Sequence, residues 1–380
     1  MSLLDPHMLL HLVVRALDLA AMVIVVGGLA FDAFVMTPVL GRLDLSPSER
    51  APVDAAYRAR YTRLVGWALA VLVIIQFADL LLRVQMMSGK PFSVVMGLLP
   101  SAITGTHIGK VWIAKIGALT ILAIVWLVTY RRSAAPSGGS WNRPGLLAIA
   151  AIVSIMVALA GHAADQGNVS PDVAADWLHV LSICTWVGGL VAFMVLVPTA
   201  SRVAGERHAA RLFTRAMARF STVAGWSLGA LLLTGAYGVW LHIHSWAGLA
   251  GAYGTALLVK LAFVAPMIGL GALGRFDNLP ELQTMTGEAF RSTWLARVAA
   301  ASFATIRRLS GVDPLRATHE TIAAVRSRSL RFIVWECVFA VGVLAGTSVL
   351  TQTMPPHVTD FAVPEASPHH MMDMPNGSMP

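Results

Sequence analysis

Eight long apolar stretches constrain the fold of this chain more than any motif in it. They lie at about 10–39, 63–85, 108–130, 144–162, 173–198, 220–242, 253–274 and 331–353. A helix needs roughly 20 mostly apolar residues to cross the hydrocarbon of a bilayer. Only 13% of the residues are charged, against about 25% in an average soluble domain. The sequence therefore predicts an all-α, polytopic membrane helix bundle of about eight transmembrane helices, surrounded by membrane lipid. A shorter apolar segment at 91–106 is broken by Pro100 and is predicted to be an interfacial or re-entrant piece.

The basic residues predict how the bundle is oriented. Most of the 28 lysine and arginine residues lie in the connections 41–63, 131–143, 199–219 and 275–331, all on one side of an alternating eight-span topology. Positive charge marks the cytoplasmic side, so both termini are predicted to face outward. The expected location is the bacterial inner (plasma) membrane, as a multi-pass protein. The net charge of +8 is thereby assigned to membrane orientation, and no nucleic-acid partner is expected.

The sequence repeats itself once. Val26-Gly27-Gly28-Leu29 matches 187–190, and the stretch 109–115 (GKVWIAK) matches 254–260 (GTALLVK), in the same order. Four spans followed by four related spans predict two parallel four-helix repeats, whose interface is a natural place for a pathway. A duplication without a pathway stays as the alternative. The predicted units are 1–143 (spans one to three with loops), 144–171 (fourth span and outer loop), 172–353 (second repeat) and 354–380 (tail).

Several ionisable side chains lie within the apolar stretches, where each charge is costly and usually marks function. They include Asp18, Asp32, Asp79, Lys115, His179, Lys260 and Glu336. The repeat makes Lys115 and Lys260 equivalent, and each is expected to meet an acid such as Asp18, Asp79 or Asp176. Both interpretations of these residues stay open, a transport pathway or structural ion pairs between helices.

The fifth stretch contains a candidate metal site. Asp176 and His179 are three residues apart and share a helix face, so the carboxylate can orient the imidazole or join it in holding a cation. Gly188-Gly189 lets another helix approach closely. His162, across a short acidic loop, supplies a second candidate nitrogen. The alternative is that both histidines are hydrogen-bonded core groups.

The last segment, 354–380, is rich in methionine and histidine and is predicted to be a disordered periplasmic tail. Its candidate ligands are His357, His369, His370, Met371, Met372 and Met374. Thioether and imidazole together suit Cu(I), whereas a hard cation would prefer carboxylates. An accidental composition of a disordered end is the alternative.

Four short stretches resemble the copper-resistance protein D (CopD, PcoD) membrane family. They are Arg219-Phe220-Ser221, Leu233-Thr234-Gly235, Tyr253-Gly254 and Leu258-Val259-Lys260, preceded by the series Asp176, His179, Trp186 and Gly188-Gly189. The resemblance covers 172–275 well. It implies an inner-membrane protein of about eight helices that moves copper from periplasm to cytoplasm beside a periplasmic copper-binding partner. It also implies His179 and His162 as metal residues.

Three functions follow from these features. The first is copper import, in which outer histidines and methionines capture Cu(I) or Cu(II) and the repeat interface passes it inward. The second is a b-type haem redox protein with histidines on facing helices as axial ligands. The third is a copper-binding membrane protein that does not transport. No nucleophile constellation or nucleotide fingerprint is present, so an enzyme is not expected.

Overall fold

The computed structural model describes residues 6–132, 142–160, 167, 169–242, 251–288 and 321–350. All regular structure in these ranges is helical. The helices are α1 (Pro6–Phe31), α2 (Thr37–Gly41), α3 (Pro47–Ser88), α4 (Phe92–Gly105), α5 (His107–Arg132), α6 (Asn142–Leu159), α7 (Pro171–Ile183), α8 (Gly189–Val203), α9 (Gly205–His242), α10 (Ala252–Leu273), α11 (Leu279–Thr286) and α12 (Ile322–Leu350). Three π-helical turns, Asp32–Met36, Cys184–Gly188 and Gly274–Asn278, join α1 to α2, α7 to α8 and α10 to α11.

The helix lengths confirm a multi-pass membrane bundle. Seven helical stretches of the described ranges are long and apolar enough to cross a bilayer: Leu9–Gly41, Pro47–Ser88, His107–Thr129, Pro171–Val203, Gly205–Leu241, Tyr253–Thr286 and Ile322–Leu350. The predicted fourth span, 144–162, corresponds to α6, which has 18 residues and is about 27 Å long at 1.5 Å per residue. The segment at 91–106 forms the separate 14-residue helix α4.

The structure corrects the predicted connections, several of which are helical. α3 begins at Pro47 rather than near residue 63, because Ser46 and Glu49 form a capping box that satisfies the first backbone N–H groups. α9 likewise runs without a break from Gly205 to His242, although 199–219 was expected to be a connection. Long helices continue beyond the apolar stretch because alanine and arginine, which are frequent there, are strong helix formers. Hydropathy therefore identifies the part of a helix that lies in lipid. It does not identify the residues at which the helix begins and ends.

The same pairs of helices pack together in both halves of the chain. α1 lies against α3 and α7 against α9, while α5 lies against α6 and α10 against α12. Between the halves, α1 contacts the Cys184–Gly188 turn and α8, so the first and fifth spans form the centre of the bundle. These shared pairs are what two parallel four-helix repeats would give, whereas α3 also contacts α5 in the first half, and the repeat organisation stays a prediction.

Two glycines allow the central spans to cross at backbone contact. A Cβ on Gly27 would collide with the backbone of Cys184 and Gly188, and one on Gly188 would collide with Val23 O and lie 2.8 Å from Gly27 Cα. Gly27 and Gly188 are equivalent in the repeat, and so are Val23 and Cys184. The crossing therefore has the reciprocal contacts of a two-fold axis that runs between α1 and the fifth span.

Candidate functional site

A buried ion pair joins α1 to α5 in the first half. Lys115 Nζ lies 3.2 Å from both carboxylate oxygens of Asp18, and the Gln76 amide also donates to Asp18. Arg15 Nη1 donates to the same carboxylate at 3.4 Å. Asp18 is fully buried, and Lys115 and Arg15 are 6% and 5% exposed. Lys115 thus meets one of the three acids that the sequence named for it.

The second half holds the equivalent lysine. Lys260, on α10, interacts electrostatically with Asp176 on α7, and Arg15 of the first half interacts with the same carboxylate. Lys115, Asp18 and Arg15 are joined by contacts of 3.2–3.4 Å, and electrostatic interactions of Asp176 connect Arg15 to Lys260. We call these five residues, which alternate in charge, the charge row. Each cation in the row interacts with an acid, as burial requires.

Two other acids of the spans each have an arginine partner, and Asp79 also interacts electrostatically with Arg15 and Lys115 of the charge row. Asp79 accepts a hydrogen bond of 2.7 Å from Arg83 Nε, four residues along α3. Asp32, in the first π-helical turn, lies 3.2 Å from Arg143 Nε and accepts from the Tyr57 hydroxyl at 2.8 Å. Both acids are thus paired with an arginine, Asp79 within α3 and Asp32 across to α6.

A threonine of α9 contacts the imidazole of His179. His179 Nδ1 lies 2.9 Å from Thr234 Oγ1, and the same hydroxyl lies 2.7 Å from its acceptor Ala230 O. When the single threonine proton is donated to Ala230 O, His179 Nδ1 is the donor to Thr234. The lone pair is then on Nε2, which is the arrangement of a metal-binding imidazole held by a second hydrogen bond.

The helix that carries His179 is fixed at its N-terminal end by its neighbours. Asp172 accepts a 2.6 Å hydrogen bond from Tyr237 of α9, and Trp177 Nε1 donates to Ser154 Oγ of α6 at 3.0 Å. Asp176 lies one turn before His179 on the same helix, and Lys260 interacts electrostatically with both. Asp176 and His179 therefore share Lys260 as an electrostatic neighbour, and His179 is in contact with α9 through Thr234.

The remaining predicted ligands lie outside the described residues. These are His162, His357, His369, His370, Met371, Met372 and Met374. Within the ranges that the structure describes, no group of three or more His, Cys, Asp or Glu side chains could hold a metal ion. His179 and Asp176 are thus an incomplete ligand set in that part of the chain.

A cavity of about 350 Å³ opens at the other end of the bundle. It is lined by Pro38, Val39, Arg42, Thr214, Arg215, Ala218, Arg219, Gln283 and Glu288. Arg215 Nε donates to both oxygens of Glu288 at 3.0 Å. We call this the arginine-rich end. The lining has no histidine, cysteine or methionine, so its chemistry does not suit a copper ion.

Sequence reasoning missed two polar partners of the site. Gln76 is uncharged, so the search for ionisable residues in the spans passed over it. Thr234 belonged to the quoted family pattern without a role, because threonines in helices usually bond only to their own backbone. A signal for Arg15 was present, since Arg15 and Asp18 are three residues apart and therefore share a helix face.

Two family models together match most of the chain. The model described as "Copper resistance protein D-like, N-terminal domain" matches residues 4–171, and the model described as "Copper resistance protein D" matches residues 214–350. The chain belongs to the copper resistance protein D family. In this family member the charge row joins the two matched regions, with Lys115, Asp18 and Arg15 in the first and Lys260 in the second. Asp176 and His179 lie on the span between them.

The similarity to a curated relative supports this family assignment. The chain is 26% identical over 204 residues to the copper transport protein CutJ of Bacillus subtilis. The aligned region is 53% of this chain and 37% of that relative, so this family member spans little more than a third of the relative's length. No solved structure matches the chain.

Proposed function

We propose that this protein transports copper ions across the bacterial inner membrane, from the periplasm to the cytoplasm. Membership of the copper resistance protein D family and similarity to a protein named for copper transport support copper as the cargo. The helical bundle supports passage across a membrane. In this proposal the arginine-rich end is the cytoplasmic side, as the positive-inside rule favours, and His179 belongs to the periplasmic half.

The observation that carries this proposal is the contact between His179 Nδ1 and Thr234 Oγ1. With Nδ1 donating to Thr234, the Nε2 lone pair is available to an arriving ion, and Asp176 lies one turn away on the same helix. Imidazole binds both Cu(I) and Cu(II) well. In this scheme the histidines and methionines of 354–380 capture the ion first, and His162 and His179 receive it from them.

The charge row weakens copper binding at the site, which favours release of the ion. A copper ion beside Asp176 competes with Lys260 for the same carboxylate, and the two positive charges repel each other. Binding at His179 is therefore weaker than it would be beside a free acid. A weak site that passes its ion on is what transport requires, since conduction needs binding that still allows exit. The repeat interface at Gly27 and Gly188 lies further along the same spans.

The other functions considered for the sequence have less support. Within the described ranges, the recorded partner of His179 is Thr234 and not a second histidine, so no observation there favours a b-type haem. A copper-binding protein without transport shares every contact above and is separated only by experiment. We further propose that the chain is a transporter and not an enzyme, and that a periplasmic copper-binding protein delivers the ion.

The test is the copper content of washed spheroplasts, measured by mass spectrometry at equal external copper. Cells express the wild type, His179→Ala, or His208→Ala as a matched control. His208 is a histidine of α9, 3.9 Å from Glu49 at the arginine-rich end, and is away from the proposed site. We expect more internal copper with the wild type and the control, and the level of cells without the protein for His179→Ala. Lower internal copper with the wild type would contradict import, and equal levels in all strains would contradict transport.

A further inference from the structure

Glu336 lies inside the apolar stretch of α12, near its arginine-bearing end. It is five residues beyond Arg331, or about 8 Å along the helix at 1.5 Å per residue. The residue is 4% exposed. The carboxyl group is therefore held inside the bundle at the depth of the hydrocarbon, where an acid is uncommon and usually functional.

The Glu336 carboxyl group faces the backbone of α10 at a glycine. A Cβ built on Gly271 of α10 would lie 3.6 Å from Glu336 Oε2, so α10 offers no side chain at this point. Among the described residues Glu336 has no recorded hydrogen bond or ion pair, and no charged side chain interacts with it. It differs in this from Asp18, Asp32 and Asp79, each of which has a recorded partner.

The charged groups on the helices packed against α12 have partners elsewhere. Those helices are α1, α8, α10 and α11 with the turn before it. On α10 and the turn after it, Lys260 interacts with Asp176 and Arg275 donates to Ser221 at 2.7 Å. On α11, Glu281 pairs with Arg328 at 2.6 Å. On α1 and the turn after it, Arg15 and Asp18 belong to the charge row, and Asp32 pairs with Arg143. Arg202, near the end of α8, is exposed, and Asp277 has no electrostatic interaction with Glu336. The thiol of Cys337 follows Glu336 in the chain.

An ionised carboxylate without a partner is costly at this depth, so the neutral acid is the form that the surroundings favour. We propose that Glu336 is a proton-binding site inside the membrane, which takes up a proton from one side and releases it to the other as copper crosses. The coupling part rests on the transport function proposed above. The proton is then the ion that accompanies copper. The step balances, because the carboxylate gains one proton and loses one proton in each cycle.

The helix pair α10 and α12 connects this acid to the copper site. Lys260 of α10 contacts α12 at Gly346, where a Cβ would lie 3.5 Å from Lys260 Cβ. Gly271, which faces Glu336, is 11 residues along the same helix, or about 16 Å. Lys260 and the glycine that faces Glu336 thus belong to one helix pair, and this pair is the route in our proposal by which copper at Asp176 affects the acid.

The first experiment is carbodiimide labelling of the full chain in membrane vesicles. Dicyclohexylcarbodiimide reacts with protonated carboxyl groups in apolar surroundings, and the modified residue is found by peptide mass spectrometry. We expect labelling at Glu336 that falls as pH rises and is absent in Glu336→Gln. Asp18 serves as an internal control that stays unlabelled because it is ion-paired. No labelling at Glu336 at any pH, or labelling that does not change with pH, would overturn the proton site.

The second experiment measures proton movement in proteoliposomes with a pH-sensitive dye inside and Cu(I) added outside. The wild type and Glu206→Gln, an exposed acid in the first turn of α9, should move protons when copper is added. Glu336→Gln should lose proton movement, while its copper binding, measured at equilibrium in detergent, stays at the wild-type level. Unchanged proton movement in Glu336→Gln would overturn the coupling. If the wild type moves no copper, the proposed function is wrong, and the labelling result alone then decides for or against the proton site.

Discussion

Replacing Gly188 by alanine tests whether backbone contact between the central spans holds the two halves together. The new Cβ would collide with Val23 O and would lie 2.8 Å from Gly27 Cα. Carbon atoms in favourable contact are about 3.5–4.0 Å apart. The spans must therefore separate by at least about 0.7–1.2 Å to relieve the contact with Gly27, and by more at the nearer Val23 oxygen, because backbone atoms cannot turn aside as a flexible side chain can.

The cost follows from that separation. A gap of about 0.5–1 Å removes a quarter to a half of the attraction between facing atoms, and overpacking of a well-packed core typically costs about 1–3 kcal/mol. Alanine also gains up to about 1 kcal/mol over glycine in helix propensity. We expect the free energy of unfolding to fall by about 1–2 kcal/mol. Gly27→Ala should behave alike, since the contacts at the crossing are reciprocal.

The assay is titration of the purified protein with SDS in mixed micelles, which gives the free energy of unfolding. Gly229→Ala is the matched control, because a Cβ at that position of α9 meets nothing within 4 Å. The control should be unchanged or more stable by up to about 1 kcal/mol. If Gly188→Ala were as stable as Gly229→Ala, the backbone contact would not exist and the argument for a tight crossing would be wrong.

Three further predictions follow from the contacts above. Asp18→Asn leaves buried cations unpaired and should lower the free energy of unfolding, measured by SDS titration, by about 3–5 kcal/mol. Adding Lys115→Met should restore part of that free energy, and no recovery would contradict the pairing. Thr234→Val removes the acceptor that orients His179, so spheroplast copper uptake should fall toward that of His179→Ala, while Thr234→Ser keeps it; normal uptake with valine would refute the role of the tautomer. Ser46→Ala should cost about 0.5–2 kcal/mol and speed amide exchange in the first turn of α3, and unchanged exchange would show that the cap is not needed.

The sequence was sufficient for the features that depend on polarity alone. Apolar length predicted the spans, and the cost of charge in lipid predicted that Lys115 and Lys260 would each have an acid beside them. Which acid pairs with each lysine depends on how the helices rotate and cross. Hydropathy carries no information about rotation or crossing. Thr234 could not be predicted as the partner of His179, because 55 residues separate them in the chain and many threonines in the spans are chemically alike. The helical connections were missed because a hydropathy search stops where apolar residues stop.

The charge row shows that the duplicated halves have diverged in chemistry while keeping their geometry. In the register that pairs Gly27 with Gly188, the counterpart of Asp18 is His179 and the counterpart of Arg15 is Asp176. The glutamine that contacts Asp18, Gln76, corresponds in the register of Arg60 and Arg219 to Gly235, which lies beside the His179 ring. One copy thus carries a buried ion pair where the other carries an imidazole in contact with a threonine. At corresponding positions, one half is therefore tied across its helices by charge, while the other presents a group that can be neutral.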